Sequence, residues 1–234
     1  MGKHMKLNTE FLMILIFTHL MSDYVFQTSK LAEDKAKSIR GILIHGIVVF
    51  LSSTIILSVY GLSGFLVAAI VSVSHLAIDY TKMKVSKIFT YKIVVFLLDQ
   101  ALHFGIIFLC EYLFRSIVSE PILKLQFVGI LNYSLIVTFM ATVIVKTALA
   151  DIYRNGAKDF DYFIKYERIF DCLIILFVAF SFVNFVVGII TLILANVVFY
   201  FVETKYFNYS KHQTLLKSAL YLIVACAFRF LVNY

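Results

Sequence analysis

The chain has 234 residues, of which 62% are hydrophobic and 15% charged, with a mean hydropathy of +0.93 and a formal net charge of +7. Soluble domains are seldom this apolar, and several stretches reach the roughly 20 apolar residues that cross a bilayer. The charge does not indicate nucleic-acid binding, because no run of Lys and Arg is interleaved with aromatic residues in a soluble segment. The composition predicts an all-α, polytopic transmembrane bundle, since long unalternating apolar runs exclude a barrel.

Hydropathy predicts about eight spans in a single integral membrane domain, residues 1–234. Within it, residues 9–115 form a motif-bearing core of four helices and residues 126–233 supply supporting helices. The division between the sixth and seventh spans is placed at Asn184 and Gly188, which favour a tight turn. In chain order, the predicted spans are residues 9–29, 41–60, 62–81, 92–114, 126–147, 168–185, 187–204 and 214–233.

The distribution of Lys and Arg predicts the orientation of these spans. Sixteen of these cations follow the first, third, fifth and seventh spans, and five lie on the other side. Because cytoplasmic loops are enriched in Lys and Arg, both termini are predicted outside the cytoplasm of a bacterial inner (plasma) membrane. The cysteines, Cys110, Cys172 and Cys226, lie in separate apolar segments and are predicted to be core residues rather than disulfides or metal ligands.

Three His/Asp pairs, each spaced four residues apart, are the main chemical feature of the first spans. Residues four apart share one face of a helix, and a carboxylate inside an apolar span is costly unless it has a partner or a function. The predicted topology places all three pairs, and also His45, in the cytoplasmic half of the membrane. The pairs are His19/Asp23, His75/Asp79 and Asp99/His103.

Imidazole and carboxylate donors on rigid helices are typical metal ligands, so the six paired residues are predicted to bind a divalent transition metal, with His45 in reserve. The mixed N/O donor set suits zinc, manganese or iron. Six donors exceed the needs of one zinc ion, which favours two ions about 3.5–4 Å apart. Two other readings stay open: interhelical hydrogen bonding and a proton or cation relay.

Polar residues next to the pairs extend the predicted site. Gln27 and Gln100 can orient ligands or pair with the backbone. Lys30 and Lys82 are predicted at the cytoplasmic mouth, where they hold a lipid phosphate, neutralise the carboxylates or extend to the membrane surface. The later half is chemically quieter, although Glu167 and Arg168 at the start of the sixth span can cap the site.

The ordered motifs H-x3-D-x3-Q-x2-K in residues 19–30, H-x3-D-x2-K in residues 75–82 and D-Q-x2-H in residues 99–103, with His45 between the first two, resemble a bacterial family of multi-span membrane proteins of unknown function. The resemblance covers residues 10–115 and, more faintly, the stretch around Glu167. It implies a membrane location and these residues as a shared polar core, without a reaction. More loosely, the pattern is similar to membrane-bound metal-dependent hydrolases.

These patterns favour a metal-dependent hydrolase that acts at the cytoplasmic interface on a lipid or another amphipathic substrate. One alternative is a proton or metal-ion transporter. Another is a non-enzymatic sensor or scaffold in which the metal is structural. Membrane lipid is the predicted partner and nucleic acid is not; an oligomer or a cytoplasmic partner is left open.

Overall fold

A computed structural model describes residues 8–118, 128–153, 171, 173, 185–206 and 210–232. These residues are helical, which confirms the predicted all-α class, and the chain divides into two compact units, Met1–Asn132 and Tyr133–Tyr234. The helices are α1 (Thr9–Leu20), α2 (Ser29–Lys37), α3 (Ile39–Leu57), α4 (Gly61–Val85), α5 (Lys92–Phe114), α6 (Val128–Leu135), α7 (Ala141–Ile152), α8 (Phe185–Tyr206) and α9 (Lys211–Val232).

The first helix is fixed at its start and broken at its end. The Asn8 side chain accepts a hydrogen bond from the amide of Phe11, which caps α1. A π-helical turn, Met21–Val25, follows α1, and the chain then bends by 95° into α2, whose cap is Thr28. Such π turns often occur at functional sites, and this one buries Asp23.

Helices α3 and α4 form an antiparallel hairpin. The chain reverses at Gly61, whose φ of 63° lies in the left-handed region that glycine tolerates. Along the hairpin the arms approach closely, because a Cβ atom added at Gly46 would lie 2.7 Å from the Leu76 side chain. The hairpin brings the start of α3 beside the end of α4.

An apolar cluster fills one end of the bundle formed by α1, α3, α4 and α5. Its members come from the first halves of α1 and α4 and the second halves of α3 and α5, so the opposite ends of these helices are left for polar residues. Cys110 belongs to this cluster and is free, whereas Cys172 and the side chain of Cys226 lie outside the description. The helical members include Phe11, Leu12, Ile14, Leu15, Leu57, Val67, Ala68, Val71 and Ile107.

The prediction of about eight spans is not supported by the described residues. Two stretches there are long and apolar enough to cross a membrane, Ile39–Val85 and Lys92–Phe114, and the bent pair Thr9–Val25 with Lys30–Lys37 would make a third. The first stretch is the α3–α4 hairpin, with arms of 19 and 25 residues.

Two of the other predicted spans contain a π turn or a buried lysine, and the span predicted at 187–204 corresponds to the continuous helix α8. The span predicted at 126–147 is divided by a π turn into α6 and α7, of 8 and 12 residues. The span predicted at 214–233 corresponds to α9, which contains Lys217. The span predicted at 168–185 lies outside the described residues except for Asp171, Leu173 and Phe185.

Gly41 sets the packing of α2 on α3. A Cβ atom there would lie 2.2 Å from the backbone carbon of Asp34, which cannot move without displacing α2. We expect Gly41→Ala to lower the free energy of unfolding by about 1–3 kcal/mol, measured by thermal unfolding in detergent. Gly105→Ala is the control, because a Cβ atom there meets nothing within 4 Å. Equal loss in both variants would contradict this role of Gly41.

Candidate metal centre

The structure brings all seven predicted donor residues into one buried cluster. Each lies near the same ends of α1, α3, α4 and α5, opposite the apolar cluster. Three overlapping groups have one donor atom per residue, and within each group these atoms lie within 4.8 Å of one another. The groups are His19, His75 and His103; Asp23, His45 and His75; and Asp79, Asp99 and His103.

The tightest group is a triangle of three donor atoms. Asp23 Oδ1 lies 3.3 Å from His45 Nε2 and 3.2 Å from His75 Nε2, and the two nitrogens are 3.1 Å apart. Ligand atoms on a tetrahedral zinc ion are separated by about 3.3–3.6 Å, given bonds of about 2.0–2.2 Å. Asp23 Oδ1 is buried and, among the described residues, accepts no hydrogen bond despite these short distances. The three separations are at or slightly below this spacing of zinc ligands, and the two nitrogens also lie within hydrogen-bonding distance of each other.

A fourth donor residue, the carboxylate of Asp79, borders this triangle. Asp79 Oδ2 lies 3.4 Å from His75 Nε2 and 3.6 Å from His45 Nε2. Both oxygens of Asp79 also contact Lys35 Nζ on α2, at 3.3 and 3.2 Å. Asp79 can thus complete the coordination of an ion at the triangle or link it to the neighbouring group.

The neighbouring group centres on Asp99. Asp99 Oδ2 accepts hydrogen bonds from Lys82 Nζ at 2.6 Å and from Gln100 Nε2 at 3.0 Å. His103 Nε2 lies 3.5 Å from Asp99 Oδ1, and neither of these two atoms has a hydrogen-bond partner among the described residues. The His103 ring stacks on the His75 ring with centroids 4.1 Å apart, which joins this group to the triangle.

Gln100 fixes the tautomer of His19. Because the Gln100 amide nitrogen donates to Asp99, its Oε1 faces Tyr24, whose hydroxyl donates to it at 3.0 Å. The same oxygen lies 3.4 Å from His19 Nε2 and can only accept, so this nitrogen carries the proton. His19 Nδ1, 3.9 Å from Asp23 Oδ2, is then the proton-accepting nitrogen.

A small cavity adjoins these rings and has room for about one water molecule. Its polar lining comes from His19, His75 and His103 together with Ser22 and Ser53. The Ser53 hydroxyl is buried without a hydrogen-bond partner among the described residues. A water molecule there would contact imidazole and hydroxyl groups.

The structure places some of the predicted flanking residues at the cluster and others away from it. Lys82 contacts Asp99 and Gln100 contacts the cluster, as described above, whereas Lys30 is exposed and Lys35 is the α2 lysine that reaches Asp79. The sequence did not single out Lys35, which lies ten residues before His45 and reaches Asp79 after the 95° bend between α1 and α2. Gln27 Oε1 is buried without a hydrogen-bond partner. Glu167 and Arg168 lie outside the described residues.

A second buried ionic cluster lies in the unit Tyr133–Tyr234 and was missed in the sequence. Lys217 Nζ lies 2.6 Å from Glu203 Oε1 and 3.1 Å from Asp171 Oδ2. Lys146 Nζ is 3.8 Å from the same Asp171 oxygen, and the Tyr221 hydroxyl donates to it at 2.9 Å. This cluster could have been found from acidic residues that lie within apolar runs, which is the signal that identified Asp23 and Asp79.

This cluster also corrects the count of cytoplasmic cations. Lys146 and Lys217 were assigned to loops after the fifth and seventh predicted spans, but both lie within helices and are buried. Two of the sixteen cations therefore belong to the interior. The bias that predicted the orientation becomes smaller and keeps its sign.

The fold and the site define an all-helical protein whose apolar helices bury a His/Asp cluster. Residues 11–128, just over half of the chain, match the family described as "Protein of unknown function (DUF3307)", and the chain belongs to this family. The matched range contains the entire His/Asp cluster. Neither the curated proteins nor the solved structures yield a match to this chain.

Proposed function

We propose that the protein is an integral membrane hydrolase whose His/Asp cluster binds divalent transition metal, zinc, manganese or iron, and cleaves an ester bond in a lipid or another amphipathic substrate. The observation that carries this proposal is the triangle of Asp23 Oδ1, His45 Nε2 and His75 Nε2, with sides of 3.1–3.3 Å. Burial of the triangle supports metal binding, because buried polar atoms need a partner.

Two ions suit the cluster better than one. The triangle supplies ligands to the first ion, and Asp99 with His103 supplies ligands to the second. Asp79 belongs to the second group and also borders the triangle, so its carboxylate is suited to bridge the ions. Two ions held about 3.5–4 Å apart activate water and stabilise the charge that develops on the substrate.

His19 is the proton acceptor in this proposal rather than a ligand. Its Nε2 is occupied by Gln100, and its ring lines the small cavity beside the triangle. A water bound there gives its proton to Nδ1 as its oxygen attacks the ester. The imidazole then returns the proton to the departing alcohol.

The proposed membrane placement includes more helices than the two candidate spans alone. We propose that α1 and the arms α3, α4 and α5 each cross the bilayer of a bacterial inner membrane, with the cluster near the cytoplasmic face. Lys35, Lys37, Lys82 and Lys84 lie at the cluster end of these helices, which agrees with the positive-inside rule. The termini are then outside the cytoplasm.

The hydrolase is preferred to the transporter because of the apolar cluster. An ion route must continue through the other half of the bundle, where Phe11, Leu15, Val67 and Ile107 are packed together and buried. A purely structural metal is disfavoured by the cavity beside the triangle, since structural sites are closed.

Substitution of His19 is expected to slow hydrolysis without reducing the amount of bound metal. We expect purified His19→Ala, reloaded with metal, to keep its metal and to hydrolyse amphipathic acyl and phosphate esters about 100- to 10,000-fold more slowly than the parent protein. A chelator should abolish hydrolysis by the parent and metal should restore it. The control Thr81→Ala alters an exposed residue of α4 and should hydrolyse at the parental rate. Chelator-resistant hydrolysis, or none with any ester, would reject the proposal.

A further inference from the structure

We infer that the substrate of this centre is an amphiphilic phosphate ester, whose phosphoryl group is held by Lys35 and Lys82. This inference rests on the proposed hydrolase function and names its substrate class. Two lysines, from different helices, each contact a carboxylate of the metal cluster, Asp79 and Asp99 respectively. No pattern in the sequence links these lysines, and the fold brings them to the same cluster.

The lysines lie between the carboxylates and the solvent. The side chains of Asp79 and Asp99 are 3% exposed, whereas those of Lys35 and Lys82 are 12% and 29% exposed. A ligand that approaches the carboxylates from outside the protein therefore meets the two ammonium groups first. Each ammonium is a compact charge on a flexible stem, which suits it to follow a phosphoryl group.

The charge of the cluster changes sign when metal binds. Among the described residues, three carboxylates (Asp23, Asp79 and Asp99) and the two lysines leave a single negative charge, with the histidines neutral. One divalent ion makes the cluster singly positive, and two ions leave three positive charges. Excess positive charge in a buried site requires an anionic ligand, and a phosphate monoester supplies one or two negative charges.

Metal binding also frees the lysines. An ion bound by Asp79 and Asp99 would compete with Lys35 and Lys82 for the carboxylate oxygens and would repel both ammonium groups. Both lysines lie at the edge of the cluster, where their side chains are 12% and 29% exposed. They then present two donors to a phosphoryl group next to the ions.

The apolar part of the substrate is indicated by the surface of α5 beside Lys82. Lys82 Nζ lies 5.7 Å from the centroid of the Phe96 ring, and the next residues, Leu97 and Leu98, are exposed. This part of α5 borders lipid in the proposed placement, so an acyl or isoprenoid chain can lie against it while the phosphate reaches the lysines.

In the reaction the water oxygen bonds to phosphorus and the bond from phosphorus to the ester oxygen breaks. The water proton passes to His19 Nδ1 and then to the departing alkoxide. The products are the alcohol of the amphiphile and inorganic phosphate, with no change of oxidation state and no further reactant.

Binding of inorganic phosphate tests the lysines without relying on turnover. We expect the metal-loaded protein to bind phosphate in calorimetry, and Lys35→Gln with Lys82→Gln to weaken binding roughly 100-fold, about tenfold per lysine, at unchanged metal content. The matched control is Lys37→Gln with Lys84→Gln, which removes two exposed lysines from the same helices. The inference would be overturned if both double variants bound phosphate equally weakly, or if phosphate affinity were the same in both variants and in the parent protein.

Three substrates of matched chemistry identify the source of the phosphate: phosphatidic acid in mixed micelles, water-soluble glycerol 3-phosphate, and diacylglycerol. Release of phosphate from phosphatidic acid at more than about ten times the rate from glycerol 3-phosphate supports the lipid source. Equal rates overturn the amphiphilic part. Fatty-acid release from diacylglycerol, without phosphate binding, overturns the inference and leaves the hydrolase. Lysine-dependent phosphate binding without any hydrolysis rejects the hydrolase and keeps the anion site.

Discussion

His75→Ala is expected to remove most of the metal bound by the protein. His75 Nε2 lies 3.1 Å from His45 Nε2, 3.2 Å from Asp23 Oδ1 and 3.4 Å from Asp79 Oδ2, so it contacts every other donor of the proposed first ion site. Its ring also stacks on His103 of the second site. Losing a direct ligand and this support should weaken metal binding more than about 100-fold, since loss of an outer partner alone costs 10- to 100-fold.

Elemental analysis of purified protein measures this effect directly. The parent protein should hold about two equivalents of metal per chain, and His75→Ala should hold well under one. The control is His212→Ala, because His212 is exposed at the start of α9 and far from the cluster in sequence. Helical circular dichroism equal to that of the parent shows that the variant is folded. Full metal occupancy in a folded His75→Ala protein would reject the metal centre.

Single-site variants resolve the two ions. His45→Ala removes a ligand of the triangle only, and Asp99→Asn removes a ligand of the second group only. Each is expected to lower the metal content by about one equivalent. Loss of both equivalents in either variant would indicate that the two proposed ions depend on each other, as a carboxylate shared through Asp79 would require.

The position of the cluster could be predicted from spacing because helix geometry is local. His75 and Asp79 share a face of α4 whatever the tertiary arrangement of the helices. Because the helices α1, α3, α4 and α5 alternate in direction, their polar ends lie on the same side of the bundle. For the same reason the helices at 41–60, 62–81, 92–114, 187–204 and 214–233 were predicted within a few residues of their observed bounds.

Two kinds of feature could not be predicted from the sequence: the break in the backbone after α1, and the contacts that long lysine side chains make with other helices. The π turn lies within the predicted span 9–29, and the 95° bend after it leads into α2, which no predicted span covers; this bend carries Lys35 to Asp79. Neither feature has a Gly or Pro signal in residues 20–28. Likewise, the count of cations treated Lys217 as a loop residue, because a count of charges cannot show that a cation pairs with acids on other helices.

Lys217→Met is expected to destabilise the unit Tyr133–Tyr234 by about 3–5 kcal/mol. Its ammonium lies 2.6 Å from Glu203 Oε1 and 3.1 Å from Asp171 Oδ2, and all three side chains are almost fully buried. Removing the cation takes from both buried carboxylates their closest ammonium group, and Asp171 keeps Lys146 at 3.8 Å. The cost is therefore that of breaking a buried ion pair, rather than the small value of a surface ion pair.

A double-mutant cycle distinguishes this cause from lost packing. Lys217→Met with Glu203→Leu removes both charges of the shortest pair, and we expect it to be at least about 2 kcal/mol more stable than Lys217→Met alone. Reversible unfolding in mixed micelles measures the four free energies. Lys211→Met is the control, because this lysine is exposed on the same helix, α9. Equal stability of the single and double variants would show that the side-chain contacts of Lys217, and not its charge, stabilise this unit.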